Sequence, residues 1–196
     1  MTVFGRPTYA DINLTALVDN YRQMSALAIK SKTMAVIKAD AYGHGSVAIA
    51  QALSNEGAGF AVAFIDEAIH LREYAITKPI LLLEGVMCEA EMALAHELNL
   101  WVMLHTREHF EWLRNLDPSL RPTVWIKVDT GMHRLGIEFA NVNSILTEFS
   151  DLLIDCTVLC SHLACADEKD NVANNKQVAQ LAELAELHGL DFSLAN

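Results

Sequence analysis

Residues 123–128 read TVWIKV, a short run rich in β-branched and aromatic residues. Successive side chains of a strand point to opposite faces, so the two valines and the isoleucine of this run share one face. Trp125 and Lys127 then lie on the other face. A strand that is apolar on one face and carries a bulky aromatic residue on the other is covered on both sides, which is typical of a parallel sheet in an α/β protein.

Similar runs recur along nearly the whole chain and alternate with segments of helical periodicity. Strands are predicted at residues 33–38, 60–64, 79–83, 100–104, 123–128, 152–159 and 191–194. Helices are predicted at residues 47–55, from 66 onward, and at 89–98, 107–116, 141–149 and 174–188. An extra N-terminal element, residues 9–14 followed by a helix at 15–27, precedes the first pair. This alternation predicts a parallel sheet with helices outside it.

Two architectures share this alternation, an open doubly wound sheet and a (β/α)8 barrel of the TIM type. No GxGxxG follows the first strand and no GxxxxGK[ST] occurs, which weakens the nucleotide-binding open sheet. Seven strands in series favour the barrel, which needs eight. The prediction is an α/β chain whose residues 1–196 form one partial domain, an incomplete barrel of about seven strands.

Composition narrows the possible partners. The 196-residue chain is 52% hydrophobic and has a formal net charge of −11, which argues against nucleic acid or an anionic membrane as a partner. No apolar run approaches the ~20 residues of a membrane span and the N-terminus lacks a secretory pattern, so we expect a cytoplasmic protein. Cys156, Cys160 and Cys165 lie near His162, but their spacing matches no zinc knuckle, and we expect no metal site.

Two lysines occupy unusual positions, Lys38 at the end of the first predicted strand and Lys127 in the fifth. Strand alternation points Lys127 into the barrel, and Lys38 can point the same way. Active sites of barrels form at the carboxyl ends of the strands, and a buried lysine must be paired, deprotonated or modified. The alternative for either lysine alone is a side chain that extends to solvent.

Three motifs follow or overlap the strand ends: AVIKADAYGHG at residues 35–45, VDTGMHRLG at 128–136 and SHLACAD at 161–167. In this order they resemble the motifs of alanine racemases, and the first resembles the family's signature for binding pyridoxal 5′-phosphate (PLP). The resemblance extends over essentially the whole chain from YADINL at residues 9–14 onward. It implies a PLP-binding barrel and the interconversion of L- and D-alanine.

The resemblance also implies roles for individual residues. Lys38 would form the Schiff base with PLP and act as one of two catalytic bases. Tyr42 would donate its hydroxyl to the cofactor phosphate, and His162 would pack against the pyridine ring. Arg134 would hold the phenolic oxygen and lie near the substrate carboxylate. Asn196 would begin a phosphate-binding Asn-Ser segment. Without the motifs, each of these residues also has an ordinary structural or solvated role.

Lys127 matches the lysine that is carbamylated in several family members, with its new carboxylate pairing with Arg134. The family's second base is a tyrosine of a C-terminal β-domain, contributed across a homodimer interface, and that domain is not in this sequence. We therefore expect this chain alone to be inactive and to tend to self-associate. The family resemblance further implies a cytoplasmic enzyme that supplies D-alanine as a cell wall precursor.

Rival interpretations remain open from the sequence. A PLP carrier or homeostasis protein has a related barrel without a second domain, but YGHG at residues 42–45 and TGMHRLG at 130–136 fit the racemase better. A racemase of another amino acid or a fold-related decarboxylase is a second rival. A purely structural or interaction module is a third, and the three cofactor motifs count against it.

Overall fold

A computed structural model describes residues 8–57, 59–153 and 157–195. Its strands are β1 (Met34–Val36), β2 (Gly59–Val62), β3 (Ile80–Leu82), β4 (Leu100–Leu104), β5 (Thr123–Asp129), β6 (Ile137–Glu138), β7 (Val158–His162) and β8 (Asp191–Ala195). Its helices are α1 (Leu14–Leu27), α2 (Lys38–Gly43), α3 (Ser46–Ala52), α4 (Ile65–Glu73), α5 (Glu89–Glu97), α6 (Arg107–Asn115), α7 (Phe139–Glu148) and α8 (Val172–His188).

Seven of these strands form one sheet in the order β1-β2-β3-β4-β5-β7-β8 across the described residues. Every neighbouring pair is parallel, and β6 adds a short parallel pairing to the end of β5. The helices between the strands supply the crossover connections that parallel pairing requires. The predicted α/β architecture with about seven barrel strands is confirmed.

The sheet curls around a small inner cluster of side chains. Met34 of β1 and Cys160 of β7 belong to the same cluster although four strands lie between them in the sheet order. The other members come from the strands between or, for Leu83, from the position directly after β3: Ala61, Leu81, Leu83, Trp101, Met103 and Trp125. The cluster therefore follows the inner face of six neighbouring strands, and the sheet is a curled half-barrel in which, among the described residues, β1 and β8 do not pair.

The main core lies between the outer face of the sheet and the helices. Strand β5 shows the division, because Val124, Ile126 and Val128 are at most 1% exposed in this core, whereas Trp125 packs on the inner cluster. In β1, Ala35 packs against the outer core and Met34 against the inner cluster. The faces predicted for β5 are therefore correct, and β1 alternates in the same way.

Helix ends follow local capping rules. Asn13 caps α1 by accepting from the backbone N–H of Ala16, and Asn171 caps α8 by accepting from the N–H of Ala173. Gly189, with a φ of 63°, ends α8. In the parts of the chain that the structure describes, none of the helices combines the length and apolar character needed to cross a membrane.

Two sequence predictions need correction. The strand predicted at residues 152–159 is displaced: Leu152 ends a short 3-10 turn and β7 runs from Val158 to His162. Ser161 and His162 are strand residues, because they pair with β8 at Leu194 and Ala195. Residues 9–13 form neither helix nor strand. Residues 154–156 lie outside the described part.

His109 of α6 is buried against the loop that follows β3. Its Nε2–H donates to the carbonyl oxygen of Val86 at 3.0 Å, and its Nδ1 accepts from the N–H of His105 at 3.3 Å, so the ring is neutral. Gly85, with a φ of 72°, makes room for it, since a Cβ there would lie 2.9 Å from the ring carbon Cε1. Burial first, and then the charge of His105, lower the pKa of His109 to about 4.

We expect this chain to lose stability as the pH falls from 6.5 towards 4. The folded pKa of His109 lies below its ordinary value of 6.5, so the unfolded state binds a proton that the folded state does not. The contribution of the neutral His109 ring to the free energy of unfolding is complete above pH 6.5 and falls by roughly 2 kcal/mol by pH 5. Urea unfolding at pH 8 and pH 5 measures the difference in the free energy of unfolding.

His109→Gln keeps a donor and an acceptor but does not titrate. This variant should be less stable than the wild type at pH 8. Its loss of stability between pH 8 and pH 5 should nevertheless be smaller than that of the wild type by roughly 2 kcal/mol. His70→Gln is the matched control, because it removes an exposed histidine and leaves the His109 ring and its partners in place. An equal loss in the wild type and in His109→Gln would contradict this assignment.

Candidate active site

The segment after β1 forms a turn of left-handed helix. The φ angles of Ala39, Asp40, Ala41 and Tyr42 lie between 50° and 55°, although none of these residues is glycine. Left-handed helical backbone costs an L-residue roughly 1–2 kcal/mol. No regular element is predicted from the sequence between the strand at residues 33–38 and the helix at 47–55. The turn begins at Lys38, which is half-buried, and exposes 61% of Tyr42.

Lys127 lies on the inner face of β5, beside β7. It is the direct parallel partner of Cys160, and its Nζ is 4.0 Å from the Cys160 Sγ. Burial first raises the pKa of the Cys160 thiol, although the charge of Lys127 and a hydrogen bond with Ser193 oppose the rise. Among the residues that the structure describes, no carboxylate forms an ion pair with Lys127. The ammonium group therefore faces a neutral thiol.

The loop after β5 folds back on its own strand. The Asp129 Oδ1 accepts from the N–H groups of Gly131 at 2.9 Å and His133 at 3.0 Å, and its Oδ2 lies 3.1 Å from the His133 Nδ1. Burial opposes the charge of Asp129, but these hydrogen bonds and the His133 ring outweigh it and lower the pKa of the carboxyl. Gly136, with a φ of 126°, approaches so closely that a Cβ would lie 3.2 Å from the Lys127 Cγ. Pairing of β6 with β5 then closes the loop.

Three of the predicted site residues act electrostatically on a fourth, His162. Burial first, then the positive charges of Lys127, Arg134 and Lys38, lower the pKa of His162. These residues belong to three strand–loop units, those of β1, β5 and β7, and the carboxyl ends of these parallel strands bring them to one edge of the sheet, the rim. Three cations thus meet beside a histidine that is neutral at pH 7. A rim of this kind suits an anionic ligand.

Tyr42 is exposed on the left-handed turn at the end of β1, and Asn196 lies outside the described residues. In the described part of the chain, no group of three or more His, Cys, Asp or Glu side chains is arranged to hold a metal ion. Cys160 is buried and Cys165 is half-buried, both as free thiols, and Cys156 lies outside the described part.

A buried hydrogen-bond network supports the rim behind His162. The Gln177 Nε2 donates to the Thr130 Oγ1 at 3.1 Å and to the His162 carbonyl oxygen at 2.9 Å. The Gln177 Oε1 accepts from the N–H of Ala164 at 3.0 Å. Thr130 and Ser161 share a hydrogen bond of 2.7 Å, and the Ser161 hydroxyl donates to a carbonyl of β5. The network ties α8 to the ends of β5 and β7.

The sequence analysis missed Gln177, which is only 2% exposed. The available signal was a glutamine on the apolar face of a helix, in register with the buried Leu181 and Leu184. A polar residue at such a position has to be satisfied by buried partners. The partners themselves come from other elements and cannot be read from the helix alone.

Comparison with known proteins identifies one family, by a family model and by individual relatives. Residues 12–196 match the family model described as alanine racemase, N-terminal domain. The alanine racemase of Alteromonas mediterranea is 40% identical over 192 residues, which are 98% of this chain and 54% of that protein. The chain spans about half the length of the relatives that it matches.

Solved structures agree with this match. Alanine racemase from Acinetobacter baumannii superposes with a TM-score of 0.86 at 32% identity, over 93% of this chain and 55% of that one. The biosynthetic alanine racemase from Pseudomonas aeruginosa superposes with a TM-score of 0.82 at 35% identity, over 93% of this chain and 51% of that one.

We expect Gln177→Leu to destabilise this chain by roughly 2–3 kcal/mol, because it removes the three hydrogen bonds that the buried Gln177 side chain makes. Gln180 provides a matched control on the same helix, since its buried Oε1 has no hydrogen-bond partner among the described residues. Gln180→Leu should be neutral or slightly stabilising. Urea unfolding of both variants gives the comparison, and equal effects would refute the role assigned to the network.

Proposed function

This chain belongs to the alanine racemase family, and from that premise we propose that the whole protein interconverts L- and D-alanine with PLP held at this rim. The observation that carries the proposal is the meeting of Lys38, Lys127 and Arg134 around His162. PLP carries a phosphate and a phenolate, so it suits three cations gathered on a protein whose formal net charge is −11. The donor set of the rim therefore fits the cofactor.

Each residue of the rim would have a distinct task. Lys38 would hold the cofactor covalently through its amine, and Tyr42 would donate its hydroxyl to the phosphate. Arg134 would donate to the phenolic oxygen and lie near the substrate carboxylate. His162 would pack against the pyridine ring, and Asn196 would contribute to the phosphate site. When bound, PLP withdraws electrons from the α-carbon of alanine and makes its proton acidic.

Proton transfer on one face of the substrate falls to Lys38. Once the substrate amine displaces it, the Lys38 amine is free to take or return the proton at the α-carbon. The neutral state of His162 matters here, because a protonated imidazole would add a fourth positive charge beside the ring. We propose that a partner subunit of a homodimer supplies the base on the opposite face, which inversion requires.

We also propose that Lys127 is carbamylated. Its side chain faces the neutral Cys160 thiol and, within the described residues, pairs with no carboxylate. The ammonium group first releases one proton, and the free amine then reacts with carbon dioxide to form a carbamate and release a second proton. The product replaces a positive charge by a negative one beside Arg134, which turns repulsion among three cations into an ion pair.

The family match does not favour the alternative interpretations, a PLP carrier or a racemase of another amino acid. The same membership leads us to propose a cytoplasmic protein that acts on alanine and supplies D-alanine as a cell wall precursor.

The whole protein loaded with PLP is expected to racemise alanine, and Lys38→Ala should lower kcat by more than about 100-fold because it removes both the attachment point and a base. Chiral chromatography of the product measures the rate. Borohydride reduction and peptide mapping should place the pyridoxyl mass on Lys38. The exposed Lys32 gives the control variant Lys32→Ala. Much faster turnover of another amino acid, or labelling of Lys127 instead, would contradict the proposal.

The carbamate is tested in a separate experiment. Protein equilibrated with carbon-13 bicarbonate should show a carbamate NMR signal that disappears in Lys127→Ala and persists in Lys32→Ala. The signal is expected because a carboxylate on Lys127 would neutralise the cation cluster. Persistence of the signal in Lys127→Ala would show that another amine carries it.

A further inference from the structure

The carboxylate of Glu67 joins the ends of two neighbouring strands through backbone amides. Its Oε1 accepts a hydrogen bond from the N–H of Ala39 at 2.5 Å. Its Oε2 accepts from the N–H of Ala63 at 2.7 Å and of Phe64 at 3.2 Å. Ala39 directly follows Lys38, and Ala63 directly follows β2. One side chain therefore ties the start of the left-handed turn to the adjacent strand end.

Helix capping explains only part of this arrangement. Glu67 is the third residue of α4, where a glutamate commonly accepts from the amides just before its own helix. Glu91 holds the same position in α5, and its Oε2 accepts from the N–H of Met87 at 2.7 Å. In the part of the chain that the structure describes, the Glu91 carboxylate accepts no further hydrogen bond. Glu67 uses one oxygen as a cap and directs the other at Ala39.

The rest of the turn has its own restraints. The Asp40 Oδ1 accepts from the N–H of Ser46 at 2.7 Å, and the Asp40 carbonyl accepts from the N–H of Gly45 at 2.9 Å. These bonds hold the second half of the turn to the start of α3. Glu67 holds the first half, which begins at Lys38. Strained left-handed backbone persists only where several surrounding contacts hold it in place.

We propose that Glu67 is a positioning residue for Lys38, an inference that rests on the proposed function. By fixing the peptide between Lys38 and Ala39, the Glu67 carboxylate sets the direction in which the lysine side chain leaves the strand. An ionised carboxylate suits this task, because two oxygens hold three N–H groups through charge-assisted hydrogen bonds. An amine that must attach a cofactor and move a proton depends on such preorganisation.

Two substitutions separate the parts of this role. Glu67→Gln keeps the size of the side chain but replaces one oxygen acceptor by an NH2 donor. That NH2 group must then face either the N–H of Ala39 or the N–H groups that follow β2, and two donors cannot form a hydrogen bond. Glu67→Asp keeps the charge and both oxygens but is one methylene shorter, so it cannot reach both strand ends. Glu91→Gln is the matched control, because it alters an equivalent cap that does not contact the turn.

The first measurement needs no cofactor. Hydrogen exchange of the Ala39 amide in this chain, followed by NMR, should be about tenfold faster in Glu67→Gln than in the wild type. In Glu91→Gln it should stay within about twofold. If the Ala39 amide exchanges faster in Glu67→Gln but not in Glu91→Gln, the Glu67 carboxylate holds the residue after Lys38, and helix capping in general does not.

The second measurement uses the whole protein. The visible absorbance of the lysine-bound cofactor should develop about tenfold more slowly when PLP is mixed with cofactor-free Glu67→Gln, because the amine is mispositioned. With PLP at saturation, kcat for alanine should fall about tenfold while KM changes less than about threefold. Glu91→Gln should match the wild type in both assays.

The outcomes separate the two claims. Wild-type exchange, attachment rate and kcat in Glu67→Gln would overturn the positioning role and leave the proposed function intact. A wild-type protein that neither attaches PLP nor racemises alanine would overturn the function and the positioning role with it. Global unfolding of both Glu67→Gln and Glu67→Asp, seen by circular dichroism, would assign Glu67 to fold stability and overturn the proposal.

Discussion

Every strand pair along the sheet is parallel, and the position of the reactive side chains depends on that constraint. Parallel strands present all their carboxyl ends on one rim, so Lys38 and His162 meet although most of the chain separates them in sequence. Register matters equally: a slip of β5 by one residue would turn Lys127 from the inner cluster to the helical layer. The buried valines and isoleucine of β5 prevent that slip, because they would have to leave the main core.

The rim gathers like charges at an energetic cost. Three cations lie near His162 on a chain whose formal net charge is −11, so the positive potential is local and opposite in sign to the rest of the molecule. Partial burial strengthens these interactions, since fewer water molecules screen them. Burial and the neighbouring cations together keep His162 neutral, which limits the repulsion. A phosphate-bearing cofactor and a carbamate on Lys127 would each relieve it further.

Strained backbone near the rim is held by buried or charged hydrogen-bonding groups. The left-handed turn after Lys38 is restrained by carboxylates of Asp40 and Glu67, and the loop carrying Arg134 by the carboxylate of Asp129. Behind His162, a glutamine of α8 satisfies the polar groups of two strand ends. These groups can hold the rim because the core between sheet and helices is extensive and provides a rigid base.

Sequence alone determined the order of strands and helices, since apolar periodicity is a local property: the strand predicted at residues 100–104 coincides with β4, and α6 begins at the predicted residue. It also placed Lys38 and Lys127 at strand ends and identified the family motifs. It did not reveal the left-handed turn, because Ala-Asp-Ala-Tyr contains no glycine and the conformation is held by Glu67 from another element. Pairing of β6 with β5 and the partners of Gln177 escaped prediction for the same reason. Such features depend on which distant residues become neighbours, and only the tertiary structure decides that.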